Sequence, residues 1–382
     1  MSEIKVNSIK GVGASTPAIS IDNTSGTCTA NITNNLSNRN LIINGAMQVA
    51  QRGTSDSGIT SSEYADGPDR YKLGGSSFGT VTVSQSTDSP DGFSNSYKVD
   101  VTTANGSLSA GSLLEIQQSL EGQNVQAFAK GTSVAKQYAL SFYVKSTKTG
   151  TYVAMLFDHD NNRMVCKTYT VSDANWNKYT LIFPADTTGA FDNDNAKSFS
   201  VKFVLVAGTT FTSGTLQTTW GSSSNADSRV GQVNFADSTS NDWYLTGVQL
   251  EVGSVATDFE HRSFGHELAL SQRYYQQYTN IMSVGYVPNN SSKSYSHGFH
   301  FPVEMRAAPT LTISNTGSTA GQYVNDGDTN RNVSSLNSHG SQTYQMEYYF
   351  NLSGDLADYR GAYAVSSTST THQTTYFITA EL

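Results

Sequence analysis

Nine short runs between residues 80 and 252 alternate apolar and polar residues, and this pattern restricts the fold more than anything else in the chain. The runs are TVTVSQ (80–85), SYKVDV (96–101), LLEIQQSL (113–120), YALSFYVKS (138–146), YVAMLFD (152–158), MVCKTYTV (164–171), KYTLIF (178–183), FSVKFVLVA (199–207) and WYLTGVQLEV (243–252). A repeat of two sends alternate side chains to opposite faces of a strand, so each run has one face to bury. Tyr138, Leu140, Phe142 and Val144 share such a face, as do Tyr179, Leu181 and Phe183. Strands with one buried face are the antiparallel kind. Eight or nine of them with loops of varied length fit a two-sheet jelly roll, assigned to residues 41–262. Composition points the same way. Charged residues are 14% of the chain, against about 25% in an ordinary soluble domain, and Ser, Thr, Asn and Gly take their place.

The flanks are also β-rich. Residues 1–40 carry short alternating runs (Ile4-Val6-Ile9, Ile19-Ile21, Cys28-Ala30-Ile32) separated by the turn-like GVGASTP and DNTSGT. So few residues cannot bury a core alone and must pack on another surface. Residues 263–282 hold the best helix signal: Ser263 as cap, His266 and Glu267 in the first turn, a helix to about Arg273, then an extended exit through YYQQY. A helix this short needs packing to be stable. Residues 283–382 read as a second β-domain, with two strands in 297–314 joined around Met305–Pro309, then 344–352, 360–367 and 374–382. An Asp-Gly turn in VNDGDTNRN (324–332) marks a hairpin, and the last run is expected to be locked into a sheet. The expected class is therefore mainly β: a jelly-roll β-sandwich and a C-terminal β-sandwich joined by a short helix.

Several function classes are disfavoured. Net charge is −8 and the 23 basic residues form no run, so nucleic acid is not the expected partner. Cys28 and Cys166 are far apart and form neither a disulfide framework nor a metal cassette; both are expected to be unpaired. No secretory signal is recognisable, and no apolar run approaches the ~20 residues that span a bilayer, so membrane insertion is not expected. A surface-acting protein without an export signal fits a virion component released by lysis.

No run names a reaction. HExxH, the P-loop and the dinucleotide fingerprint are absent, as are the repeats of a parallel β-helix, and no enzymatic activity is expected. Glycoside cleavage needs two carboxyl groups about 5–9.5 Å apart, a distance that sequence does not supply. His297 and His300 in HGFH lie three apart, on opposite faces of a regular strand, so one chain cannot clamp an ion with both. FDHDNNR (157–163) and FDNDNAK (191–197) are rich in oxygen ligands. Such runs suit a structural calcium, and they equally suit local Asp and Asn turns without an ion; no ligand is assigned and no cofactor is expected.

Two longer stretches are unusually specific in wording. One is NRNLIINGAMQVAQRGTS (38–55), followed by GPDRYK (67–72); the other is YLTGVQLEVGSVATDFEHRSFGHELALSQRYYQQY (244–278). Together they resemble a family of bacteriophage tail-fibre and tail-tip proteins. The strand order, notably around NWNKYTLIFP, also resembles bacterial carbohydrate-binding modules of the jelly-roll type. The resemblance covers residues 38–278 best; beyond them it rests on FPVEMRAAPTLT. It implies an N-terminal segment that attaches to the virion, a jelly-roll body, a linker helix at the axis of a homotrimer, and a distal domain that contacts a host surface glycan such as lipopolysaccharide. Glycan recognition would use aromatic faces with Asp, Asn and Arg. The candidates are Trp220 in the stretch 208–242 and, in or beside predicted distal loops, Tyr323, Asp326, Arg331, His339, Tyr359 and Arg360. The alternatives are a virion adaptor without receptor contact and a glycan-cleaving tailspike enzyme.

Overall fold

The computed structural model of the chain describes residues 8–10, 12, 19–21, 24, 28–30, 38–279, 283–286, 292–313, 323–325, 330–353, 361–365 and 375–382. Near the N-terminus, β1 (Ser8–Ile9), β2 (Ile19–Ile21) and β3 (Cys28–Ala30) pair antiparallel in chain order.

The next eleven strands make the sandwich: β4 (Ser55–Glu63), β5 (Lys72–Ser86), β6 (Ser96–Thr103), β7 (Leu113–Glu121), β8 (Tyr138–Ser146), β9 (Gly150–Asp158), β10 (Arg163–Val171), β11 (Asn177–Phe183), β12 (Lys197–Ala207), β13 (Gly221–Ser222) and β14 (Asp242–Val252). They run in the order β11-β8-β14-β6-β5-β7-β12-β9-β10-β13, with β4 on β5. Two leaves arise because β5 serves both. Lys72–Ser76 pairs with β7, and Thr80–Ser86 pairs with β6. The corner between them needs a positive φ at Gly75, and a Cβ there would stand 1.9 Å from the Leu113 carbonyl oxygen. Glycines at a corner are how a strand switches sheets. The front leaf is β11-β8-β14-β6 with the second half of β5; the back leaf is the first half of β5 with β7-β12-β9-β10-β13. Between them lie the alternate residues the sequence pattern marks as inward, including Tyr138, Leu140, Phe142, Val144, Phe199, Val201, Phe203 and Trp243, all at most 1% exposed.

Every one of the nine runs is a strand. The pattern misses β4 and the first half of β5, where SDSGITSSE and KLGGSS offer glycine and serine in place of apolar residues.

A short α1 (Thr209–Thr212) opens the loop after β12. The linker helix α2 (Phe264–Gln272) is capped by Ser263, whose hydroxyl accepts from the His266 amide at 3.4 Å. Beyond it come β15 (Tyr275–Thr279), β16 (Ser283–Tyr286), β17 (Lys293–His300), β18 (Thr310–Ile313), β19 (Tyr323–Asn325), β20 (Asn330–Ser341), β21 (Gln345–Leu352), β22 (Gly361–Val365) and β23 (Thr375–Thr379). Six of these close as a ring, β16-β17-β21-β20-β19-β22, beside a three-stranded sheet β15-β23-β18. Met305, Tyr348, Phe350, Leu352, Tyr376 and Ile378 fill the core between them. The ladder of β17 shifts register between Ser296 and Phe299, where Gly298 has φ +77°. The alternation assumed for His297 and His300 therefore does not hold across that point.

Candidate functional site

The two wordy stretches meet as a polar seam. Asn40 Oδ1 accepts from the amides of Ile42 (3.0 Å) and Leu250 (3.1 Å), while its Nδ2 donates to the Val248 carbonyl. The Val248 amide in turn donates to the Gly45 carbonyl at 2.9 Å, and a Cβ at Gly45 would lie 2.2 Å from the Val248 oxygen. Asn44 takes a left-handed φ of 57° and bonds Val49 and Asp69 with its side chain; its amide donates to Glu267 Oε2 of α2 at 2.7 Å. Arg262 donates to the carbonyls of Asn40 and Ile42. The wording of these stretches is specific because Asn40, Asn44 and Arg262 satisfy backbone groups of the seam, and leaving a buried one unmet costs about 1–3 kcal/mol. The same seam holds the distal part. Arg70 and Arg52 both pair with Glu381, Arg70 stacks on Tyr274, and Arg52 stacks on Tyr275. Helix α2 is thus docked on its own chain by buried Glu267 and Ser271, while Phe264 stays 56% exposed.

Asp158 of the first oxygen-rich run and the segment just before the second meet around a lysine. Fully buried Lys130 places its Nζ 2.5 Å from Asp158 Oδ2, 3.2 Å from Asp186 Oδ2, and within 2.8 Å of the carbonyls of Thr188 and Gly189. An ammonium group fills the oxygen cage, and no cluster of three acidic, His or Cys residues suited to a metal occurs among the described residues.

Of the residues singled out from sequence as glycan contacts, the structure describes the side chain of Trp220 alone. Trp220 is a core contact rather than an open platform: it packs beside Tyr138 and Phe199, and its Nε1 donates to the Pro184 carbonyl at 2.8 Å. Tyr323 belongs to strand β19 and Arg331 and His339 to β20, and their side chains lie outside the described residues. Asp326, Tyr359 and Arg360 lie outside the described residues altogether.

A different arrangement emerges on the outward face of the back leaf. Alternation sends Glu115, Gln117 and Ser119 of β7, and Ser200, Lys202 and Val204 of β12, away from the core. Register aligns them in rows across the strands. One row is Lys72, Gln117, Lys202 and Met155; the next is Ser119, Ser200 and Phe157. Lys197 stands opposite Glu121 at the end of the ladder.

Both ends of this trough are walled. At one end the loop 208–232 seals Val153, Met155, Met164, Cys166 and Val204 beneath Phe211 and Leu216. Arg229 of that loop reaches Glu115 Oε2 at 2.5 Å, and Lys202 Nζ reaches Oε1 at 2.7 Å. Burial would raise the Glu115 carboxyl, but Arg229 and Lys202 outweigh it and bring the pKa to about 2. At the other end Arg273 grips Glu121 with two bonds of 2.8 and 2.7 Å, joined by the Tyr274 hydroxyl. Arg306 holds the carbonyls of Asn195, Ala380 and Glu381 there. Six residues of β7 separate the two walls, about 20 Å.

Between the walls the accessible groups are Lys72, Gln117, Phe157, His159, Lys197 and Lys202, all half-buried. Lys202 Nζ lies 5.4 Å from the Phe157 ring, which sits 4.7 Å from the His159 ring. His159 Nε2 bonds Ser200 Oγ at 2.8 Å, and Ser200 also meets Ser119 Oγ at 3.0 Å. Burial first, then Lys197 and Lys202, push the imidazole down to about 3, so it is neutral at ordinary pH. A ring face beside amide, imidazole and ammonium groups suits a polyhydroxylated ligand. None of these residues was singled out as a glycan contact, although Phe157, His159 and Lys197 lie in the two oxygen-rich runs. Alternation marks which ones face outward, but not that strands 70 or more residues apart lie side by side.

No family model matches the chain, and no curated protein matches it. Solved structures do match. Among them are the enzymatically active domain of tailspike protein 4 of bacteriophage CBA120 (16% identity, 56% of this chain and 21% of that one, TM-score 0.29). A family 11 carbohydrate-binding module from Clostridium thermocellum, in complex with a mixed-linked tetrasaccharide, is 12% identical over 55% of this chain and 99% of its own, with TM-score 0.28. The apo form of a cyclase from Fischerella sp. is 12% identical over 59% and 98%, with TM-score 0.29. The chain spans about a fifth of the tailspike chain it matches. Scores this low carry no argument about what this chain binds or does.

Proposed function

We propose that this chain is a phage tail-fibre or tail-tip protein that binds a glycan on the host surface and acts without enzymatic activity. The observation that carries glycan binding is the walled trough, with Phe157 beside Gln117, His159 and three lysines. The virion setting rests on the resemblance of residues 38–55 and 244–278. Both carboxylates of the trough are occupied: Glu115 by Arg229 and Lys202, Glu121 by Arg273 and Tyr274. Neither is free to act as an acid or nucleophile, which supports binding over cleavage. The exposed Phe264 on α2 supports the homotrimer, as an apolar side chain left for a neighbouring subunit. Three chains per fibre would raise avidity by ~10²–10⁴ over a single weak contact.

The test is adsorption competition. The purified full chain, added free, should slow adsorption of phage carrying it, and a trimer should sediment at micromolar concentration. Unchanged adsorption in the presence of folded trimer would move the reading to a virion adaptor.

A further inference from the structure

Charge in the trough is out of balance. Five cations (Lys72, Lys197, Lys202, Arg229 and Arg273) face two carboxylates: Glu115 holds Lys202 and Arg229, and Glu121 holds Arg273. Lys72 and Lys197 make no ion pair among the described residues; Lys72 rests at 5.5 Å over the Tyr64 ring. Lys72 and Lys202 stand two strand spacings apart across Gln117, about 10 Å, with their side chains on the same face. A group bound over Gln117 would lie between them. The floor there is Gln117 with the neutral His159–Ser200 pair beside it, so donors are available, and the nearby Glu115 carboxylate is already offset by Lys202 and Arg229.

We propose that Lys72, Lys197 and Lys202 form a subsite for an acidic sugar, one bearing a carboxylate or a phosphate. The acid group is held over Gln117, and the sugar ring extends toward Phe157 and His159. Charge-assisted hydrogen bonds to an ionised oxygen are about twice as strong as neutral ones, so this group would dominate selection. Like-charge crowding supports the site from another side: burial, then Lys202 and Lys72, hold the Lys197 ammonium below the ordinary lysine range. An anion relieves that crowding. In a chain of net charge −8, such an anion-seeking surface stands out.

The inference rests on the glycan-binding reading, and the test separates the two. The full-length chain is titrated by calorimetry with trigalacturonic acid, mannose 6-phosphate and neutral maltotriose. The expected result is saturable binding of an acidic probe that weakens with added salt, and at least tenfold loss in the K72Q/K197Q variant with unchanged near-UV circular dichroism. Trigalacturonate as the tighter probe assigns a carboxylate; mannose 6-phosphate as the tighter probe assigns a phosphate. K145Q, on the opposite leaf, should bind as the parent does. Equal binding of maltotriose, insensitive to K72Q/K197Q, would overturn the acidic subsite and leave glycan recognition standing. Binding of no probe also overturns it, and adsorption competition then judges the glycan reading independently.

Discussion

The two leaves of the sandwich are built from the same alternating pattern, yet their outward faces end differently. On the front leaf two neighbouring cations each have their own anion, while Lys178 of β11 rests 5.9 Å from the Tyr143 ring at the edge. Lys98 pairs with Asp242 at 3.0 Å and Lys145 with Asp88 at 2.6 Å, both flank Tyr244, and Trp176 Nε1 donates to Asp88 at 2.9 Å. The patch around Tyr244 is thus electrostatically paired and open to water. The back leaf commits its two trough carboxylates, Glu115 and Glu121, to the walls and leaves Lys72 and Lys197 without an ion pair among the described residues. Pattern decides which residues face out; the order of strands decides whether their charges cancel.

Breaking each face should cost very different amounts. Glu115→Gln strands Arg229, whose side chain is 6% exposed, and should lower stability by about 3–5 kcal/mol in urea unfolding at neutral pH. The Asp88→Asn change on the front leaf removes an ion pair whose carboxylate is 39% exposed, and should cost less than ~1 kcal/mol. Equal losses would remove the contrast between the faces.

Acid should sharpen it further. The Glu115 carboxyl sits at about 2, below its ordinary 4.5, so its contribution is complete above 4.5 and fades as pH falls toward 2. His159, lowered from 6.5 to about 3, works over a higher window. The unfolded chain takes up its proton first, so stability declines as pH falls from 6.5 toward 3. Melting temperature against pH should therefore slope over that interval in the parent and flatten there in His159→Asn. A parallel slope in the variant would show that His159 does not titrate in this way.

The smallest effect has the opposite sign. Removing unmatched charge in K72Q/K197Q should leave thermal stability unchanged or raise it by a few tenths of a kcal/mol, as expected for surface substitutions away from a network. A loss of more than ~1 kcal/mol would mean that these lysines are structural.

Much of this architecture was legible beforehand, and the reasons it stopped being legible are physical. Runs such as YALSFYVKS announce a strand and its buried face because one face must leave water. Ser263 and Glu267 announce the start of α2 because a helix end needs an acceptor for its amides. Strand β4 hides because glycine and serine satisfy a backbone ladder without an apolar side chain. The trough hides because β12 pairs with β7 and β9, and nothing local encodes that adjacency. Lys130 hides for a related reason: its partners come from the end of β9 (Asp158) and the loop after β11 (Asp186 and Gly189), and only the folded chain shows an ammonium among them. Trp220 misleads because an aromatic residue in a long loop can turn inward and cap a core.

The seam also sets a clock. Asn40 closes against Leu250, Glu260 and Arg262, and Arg70 closes against Glu381, contacts separated by 210, 220, 222 and 311 residues. At about 5–20 residues per second of synthesis, the first edge of the sandwich waits roughly 10–45 s for its partner to leave the ribosome. During that interval Ile42, Met47 and the strands behind them have no lid, and folding of the nascent chain needs protection there by a chaperone or by slow collapse.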